Sequence, residues 1–310
     1  MTNILDLQKN TTQVDGLSNH EIMRLILLSI TLTSFIVFSY FLAVMLSVCF
    51  TNTVARQEVR YILFTHMLVI DSVYLLFSLF LFLASYYPTK YPAPFCYIFV
   101  VVSSTSLKIT SYNLAIMSLE CYITICFPLR HREICTLQRM GIAIAIIWAL
   151  ELLPNVADFF VLTLTAEKTF FSRIVICSRS SFIVASVQDT IRLASHASTF
   201  YLVGLIIILT YIKIMLVAFR VDSRKSSASK AGRTIVLHAI QLLLCMMAYS
   251  YSIVEIIFKN YINLLPVINF SFFMCLPRFL SPFIYGIRDE LFRKQIKKFT
   301  VCDFKKHSLK

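Results

Sequence analysis

Four ionisable side chains stand deep inside long apolar runs: Asp71, Lys108, Glu151 and Arg278. A charge there costs on the order of 2.5–3.5 kcal/mol on insertion scales, so such groups are paired or functional. Lys108 lies twelve residues past Cys96, about 18 Å along a helix. Glu151 lies twelve residues past Arg139 on the next run, which sets both groups at one depth and predicts a Lys108–Glu151 ion pair. Two roles stay open: a tie between two spans, or Lys108 as the anchor of an anionic or carbonyl-bearing ligand. Catalysis has little to draw on. His131-Arg132-Glu133 is a surface cluster with no partner nucleophile. The nine cysteines include no CxxC pair and no His/Cys metal spacing, so neither an enzyme nor a cofactor or metal is expected.

The elements that carry these groups follow from composition. Of 310 residues 58% are hydrophobic and 15% charged, with a mean hydropathy of +0.77. Soluble domains carry about 25% charged residues. The apolar excess falls in runs of spanning length, which makes a lipid bilayer the solvent. Seven windows qualify: roughly 22–50, 59–86, 96–126, 139–164, 191–221, 233–258 and 264–287. The predicted fold is an all-α membrane bundle of seven helices with a short amphipathic eighth, since Leu291, Phe292, Ile296 and Phe299 share one face opposite Lys294, Lys297 and Lys298. The chain divides into an N-terminal segment, 1–21, the bundle, 22–287, and a helix and tail, 288–310. The net charge of +13 sits in short clusters without interleaved stacking aromatics, which argues against nucleic acid and for an anionic membrane surface.

Lys and Arg concentrate on alternate connections: Arg56 and Arg60; Arg130, Arg132 and Arg139; Arg220, Arg224, Lys225, Lys230 and Arg233; and the tail. By the positive-inside rule these face the cytoplasm and the N-terminus lies outside. The sequon at Asn10 is then extracellular and open to glycosylation, whereas Asn269-Phe270-Ser271 lies within a span. The first 21 residues lack the basic start and cleavage site of a signal peptide, so the first span is expected to direct insertion. With five glycines in the chain and no internal repeat, the pattern fits a receptor better than a transporter or channel.

Specific motifs sharpen this. The third span ends in "AIMSLECYITICFPLRH"; the second contains "LFTHMLVIDSVYLL"; Trp148 is the single tryptophan, in the fourth. The sixth opens "SKAGRTIVLHAIQL" and the seventh ends "LPRFLSPFIYGIRDELFRK". Together these resemble the rhodopsin-like (class A) G-protein-coupled receptors, specifically fish-type odorant receptors. That resemblance implies a small-molecule odorant bound in the outer half of the bundle and a heterotrimeric G protein, of the olfactory stimulatory type acting through cyclic AMP. It also implies residence in the plasma membrane of olfactory sensory cilia. A non-olfactory class A receptor for a small ligand is the alternative. A light sensor is excluded, because Cys275 stands where an opsin needs lysine.

The same resemblance implies a disulfide between Cys96, at the head of the third span, and Cys177, in the second outer loop. It places G-protein coupling at Glu120, Cys121, Tyr122, Arg130, Lys230 and Arg233, and an activation motif at Pro282 and Tyr285. Cys121 departs from the family, which usually has arginine there, so Glu120 either meets Arg130 or Arg132 or stays solvated. Arg278, four residues before Pro282, is turned by family geometry toward Asp71, where it forms an ion pair or else reaches a water-filled cavity. Inward-facing ligand candidates are Ser103, Ser104, Leu107, Lys108 and Ser111 on the third span, Ser195, Ser198 and Thr199 on the fifth, and Tyr249, Tyr251 and Ser252 on the sixth. Asp158 and Glu255, nearer the outer ends of their spans, read as solvated helix-end acids or as contacts for a cationic ligand.

Overall fold

The computed structural model describes residues 2–51, 57–87, 89–167 and 169–220, and beyond them 232, 236, 239, 240, 243, 270–276 and 278. Lys230, Arg233, Tyr249, Tyr251, Ser252, Glu255, Pro282 and Tyr285 lie outside these residues, as do the tail and the side chain of Asn10.

Among the described residues five helices are long and apolar enough to cross a membrane. They are α1 (Thr2–Thr51), α2 (Val59–Tyr86), α3 (Ala93–Cys126), α4 (Leu137–Thr165) and α5 (Ser186–Arg220). Helix α1 begins well before its apolar stretch, Leu28–Thr51, because backbone hydrogen bonds within a segment need no apolar side chains. Helix starts follow local chemistry. Pro92 and Pro94 open α3, where a missing N–H costs nothing. The Thr136 hydroxyl accepts from the Arg139 amide at 3.3 Å and caps α4. The Gln188 Oε1 accepts from the amides of Val184 and Ala185, which lets α5 begin five residues ahead of its apolar run.

Helix α3 is central. It packs against α2, α4 and α5, and eighteen of its residues are buried. Helix α4, by contrast, turns Ile142, Ile146, Leu153, Phe160 and Leu164 outward, as lipid-facing helices do. The hydroxyls of Ser106, Ser118, Thr163 and Thr210 bond carbonyls three or four residues earlier, which satisfies them inside apolar surroundings.

A polar thread crosses the middle of the bundle. Asn113 Nδ2 donates to the Leu63 carbonyl at 2.8 Å, and its Oδ1 lies 3.3 Å from His66 Nδ1. Trp148 Nε1 donates to His66 Nε2 at 3.3 Å. With Nε2 accepting, the proton of a neutral His66 sits on Nδ1 and is donated to Asn113. The lone tryptophan thus ties α4 to α2 and α3.

One end of the bundle is laced. Strand β1 (Lys90–Pro92) pairs antiparallel with β2 (Ile174–Ile176), with Tyr91 opposite Val175. The Cys96–Cys177 disulfide closes the same corner, with Cα atoms 5.3 Å apart. Phe170, Phe182 and Leu162 pack around the bridge.

Candidate functional site: a polar cleft among α3, α4 and α5

Below the laced corner a cleft of about 30 Å³ lies between three helices and the loop joining α4 to α5. Helix α3 supplies Val100, Val101, Ser104 and Lys108; helix α4 supplies Pro154, Asn155 and Asp158. Helix α5 adds Ile191, Arg192, Ser195 and His196, and the loop adds Arg179.

Two ion pairs frame it. At the floor Lys108 and Glu151 form a salt bridge, with side chains 3% and 2% exposed. Lys108 Nζ also donates to Ser195 Oγ at 2.9 Å. Thr199 Oγ1 lies 3.3 Å from Glu151 Oε1 and 3.2 Å from the Tyr112 hydroxyl. Pro154 removes one backbone donor from α4, and one residue on Asn155 Nδ2 donates to both the Glu151 carbonyl and Thr105 Oγ1. Higher up, Arg192 grips Asp158 through Nε at 2.9 Å and Nη2 at 2.7 Å, the two-pronged geometry that makes arginine–carboxylate pairs strong. Gln188 Nε2 adds a third donor to Asp158 at 3.3 Å.

Arg179 and Arg192 are neighbours, since Arg192 Nη1 donates to the Arg179 carbonyl at 3.4 Å. Burial and the adjacent Arg192 charge push the Arg179 guanidinium down to about 10 from its usual 12.5, against the pull of Asp189 and Asp158.

The structure sorts the ligand candidates. Ser104, Lys108 and Ser195 line the cleft, and Thr199 lies behind its floor. Ser103, Leu107 and Ser111 are buried in α3 beside it, with Ser111 bonded back to the Leu107 carbonyl. Ser198 is exposed on the outer face of α5 and bonds the Ser195 carbonyl, away from the cleft. Asp158 was expected either to be solvated or to meet a cationic ligand; it is 5% exposed and paired with Arg192 of the chain itself. Sequence reading missed Arg179, Arg192, Gln188 and His196. One available signal was the four-residue spacing of Gln188 and Arg192, which puts both on one face of α5, toward Asp158.

At the opposite end of α3, Glu120 meets neither Arg130 nor Arg132 and is not solvated. Its carboxylate is 7% exposed and lies 3.3 Å from His131 Nε2 and 3.9 Å from Arg60 Nε. Thr124 donates to it at 2.9 Å. Cys121 beside it is buried. Halfway along the bundle, Asp71 lies 3.7 Å from Arg278 Nε and accepts from Thr110 at 2.9 Å. The Arg278 guanidinium sits 4.0 Å from the centre of the Tyr74 ring.

A helical membrane bundle with a bridged corner and a polar cleft beneath it is receptor architecture, and comparison with known proteins agrees. Residues 42–285 match the family of 7 transmembrane receptors (rhodopsin family), and the chain belongs to that family, a receptor rather than an enzyme. Odorant receptor 131-2 of Danio rerio is 30% identical over 263 residues, covering 82% of this chain and 81% of its own. Olfactory receptor 52A5 of Homo sapiens is 25% identical over 207 residues, covering 64% of each chain. Within the family this is an odorant receptor of the fish type.

Proposed function

We propose that the protein binds a small-molecule odorant in the half of the bundle that carries the Cys96–Cys177 bridge and activates a heterotrimeric G protein at the other end. The cleft among α3, α4 and α5 carries this reading, because it opens directed hydrogen-bonding groups beside apolar wall residues in that half of the bundle. The ligand acts by binding the active arrangement better and shifting the population toward it. At the other end Tyr122 and Arg130, with Lys230 and Arg233, form the coupling surface, and the buried Glu120 and Cys121 support it from beneath. The N-terminus faces outside with Asn10 glycosylated, the tail faces the cytoplasm, and the receptor resides in the plasma membrane of olfactory cilia. The G protein is of the stimulatory, cyclic-AMP type.

The test expresses the full chain, tagged before Met1, with an olfactory stimulatory G protein and a panel of small acids, amines, alcohols and aldehydes. The expected result is tag exposure on intact cells and a cyclic-AMP rise to a subset of the panel, lost when the G protein is omitted. A tag reached only after permeabilisation overturns the orientation. Responses that persist without the G protein overturn the coupling.

A further inference from the structure

We infer that Gly232 and Met215 form a knob-and-hole contact that sets the separation of α5 from the start of the sixth span, which makes Gly232 a positioning residue for the coupling surface. This rests on the proposed coupling at that end of the bundle and adds what spaces its parts.

Glycine needs a reason at this place. Gly232 is helical and buried, and glycine is a poor helix former. Its φ is not positive, so backbone conformation does not call for glycine either. Space does. A β-carbon added at Gly232 would fall on the terminal methyl of Met215, with Met215 Sδ 3.6 Å and Tyr211 Cε2 3.7 Å from it. The same carbon added at Gly141 of α4 or Gly204 of α5 would have nothing within 4 Å. Of these three glycines, Gly232 alone has another residue's side chain seated where its own would be.

The knob comes from a firmly held stretch of α5. Met215 is half-buried and packs against the main core, next to the fully buried Ile214. Tyr211 lies one turn earlier on the same face, so the two side chains make a ridge against Gly232. The distance between packed helices follows the side chains at their contact, and a glycine hole permits the closest approach. Methionine suits such a hole, because its unbranched thioether adapts to irregular gaps. That adaptability grades the substitutions. Alanine at 232 asks only the Met215 methyl to swing aside, whereas leucine also needs room held by the Met215 sulfur and the Tyr211 ring.

Placement gives the contact its role. Lys230 and Arg233, two cations of the proposed coupling surface, are joined to Gly232 within two residues of sequence. A backbone pushed away from α5 at 232 carries their points of attachment with it. The hole therefore fixes how far that part of the surface stands from α5.

The experiment uses the full-length receptor and four variants: Gly232→Ala, Gly232→Leu, Gly232→Leu/Met215→Ala and, as the open-space control, Gly141→Leu. Separation is read as the distance between spin labels carried on unnatural amino acids at the exposed Ile212 and Val236, which leaves every native cysteine in place. Coupling is read as ligand-free cyclic AMP per receptor at the surface, with the stimulatory G protein and without it. Thermal inactivation runs alongside, since a merely structural role would move stability and leave the other two readings alone. Gly232→Leu should lengthen the label distance by about 2 Å, the range over which contact residues alter helix separation. It should also change the G-protein-dependent signal at least roughly threefold, a rise meaning that the hole favours the resting arrangement and a fall the active one. Gly232→Ala and Gly141→Leu should stay near wild type. The double variant, which moves bulk from one helix to the other, should bring both readings most of the way back. An unchanged distance in Gly232→Leu overturns the spacer. A longer distance with unchanged cyclic AMP overturns its part in coupling, and changes that Met215→Ala does not reverse overturn the contact as their cause. Cyclic AMP independent of the G protein in every protein overturns the coupling reading instead, and the label distances then judge the spacer by themselves.

Discussion

Replacing Arg278 with methionine isolates the energetics of a fully buried charge. Arg278 is 0% exposed and so is Asp71, so neither charge has water to fall back on. At 3.7 Å, with an effective dielectric constant of about 20, Coulomb attraction between them is about 4–5 kcal/mol. The ring of Tyr74 contributes about 2 kcal/mol more by holding the desolvated guanidinium over its face. Breaking the pair leaves Asp71 with Thr110 as its remaining hydrogen-bond donor and a cost of about 3–5 kcal/mol is expected. Asp71→Asn on its own removes the carboxylate that faces the arginine and should cost a similar amount. The double variant Asp71→Asn/Arg278→Met leaves no unmatched charge in that pair and should cost less than either single variant, well short of the sum of the two. The assay is thermal inactivation of detergent-purified receptor, all four proteins side by side, with surface expression as a second measure. Additive single losses would refute the argument, because groups that do not sense each other add.

Three further outcomes are expected. Cys96→Ser or Cys177→Ser should cost about 2–5 kcal/mol of stability, since the bridge closes a separation of 81 residues; non-reducing electrophoresis and thermal inactivation measure it, and an unchanged melting profile would exclude the bridge as a stabiliser. Glu120→Gln should cost less than about 1 kcal/mol, because its partner Arg60 is 38% exposed, yet it should alter ligand-free cyclic AMP by loosening the contacts among α2, α3 and the His131 turn; identical basal signal would rule out that role. The Cys135 thiol lies outside the spans and is pushed up by burial and by the Glu120 carboxylate. A raised value keeps it protonated and unreactive at neutral pH, so maleimide labelling of a variant retaining only Cys96, Cys177 and Cys135 should climb only in alkaline solution, and fast labelling at neutral pH would contradict this.

Hydropathy made the helices legible, because lipid leaves a spanning backbone few alternatives. Predicted windows at 59–86 and 139–164 lie within a residue or two of α2 and α4. The start of α1 was not legible, since a polar helix leaves no apolar trace. Charges at matched depth led to Lys108 and Glu151, which the structure holds in one ion pair. Depth does not report which way a side chain turns around its helix, and there the reading failed. Ser198 was grouped with Ser195 yet lies three residues round toward the outside. Asp158, near a helix end, was read as solvated or as a contact for a cationic ligand, while Arg192, its partner, is 34 residues on. Glu120 was left between Arg130 or Arg132 of the following loop and solvent, but its neighbours in space are His131 and, from the preceding span, Arg60.

The stitched corner carries a mechanical consequence. A sulfur–sulfur link and a short antiparallel ribbon join the head of α3 to the segment between α4 and α5. Rods tied at one tip pivot there and sweep widest at the free tip. A small push exerted near the tie by a bound molecule is therefore expected to emerge, enlarged, as displacement of the far ends around Glu120, and spin labels at the two ends of α3 and α5 would register that gradient as a distance change that grows away from the tie.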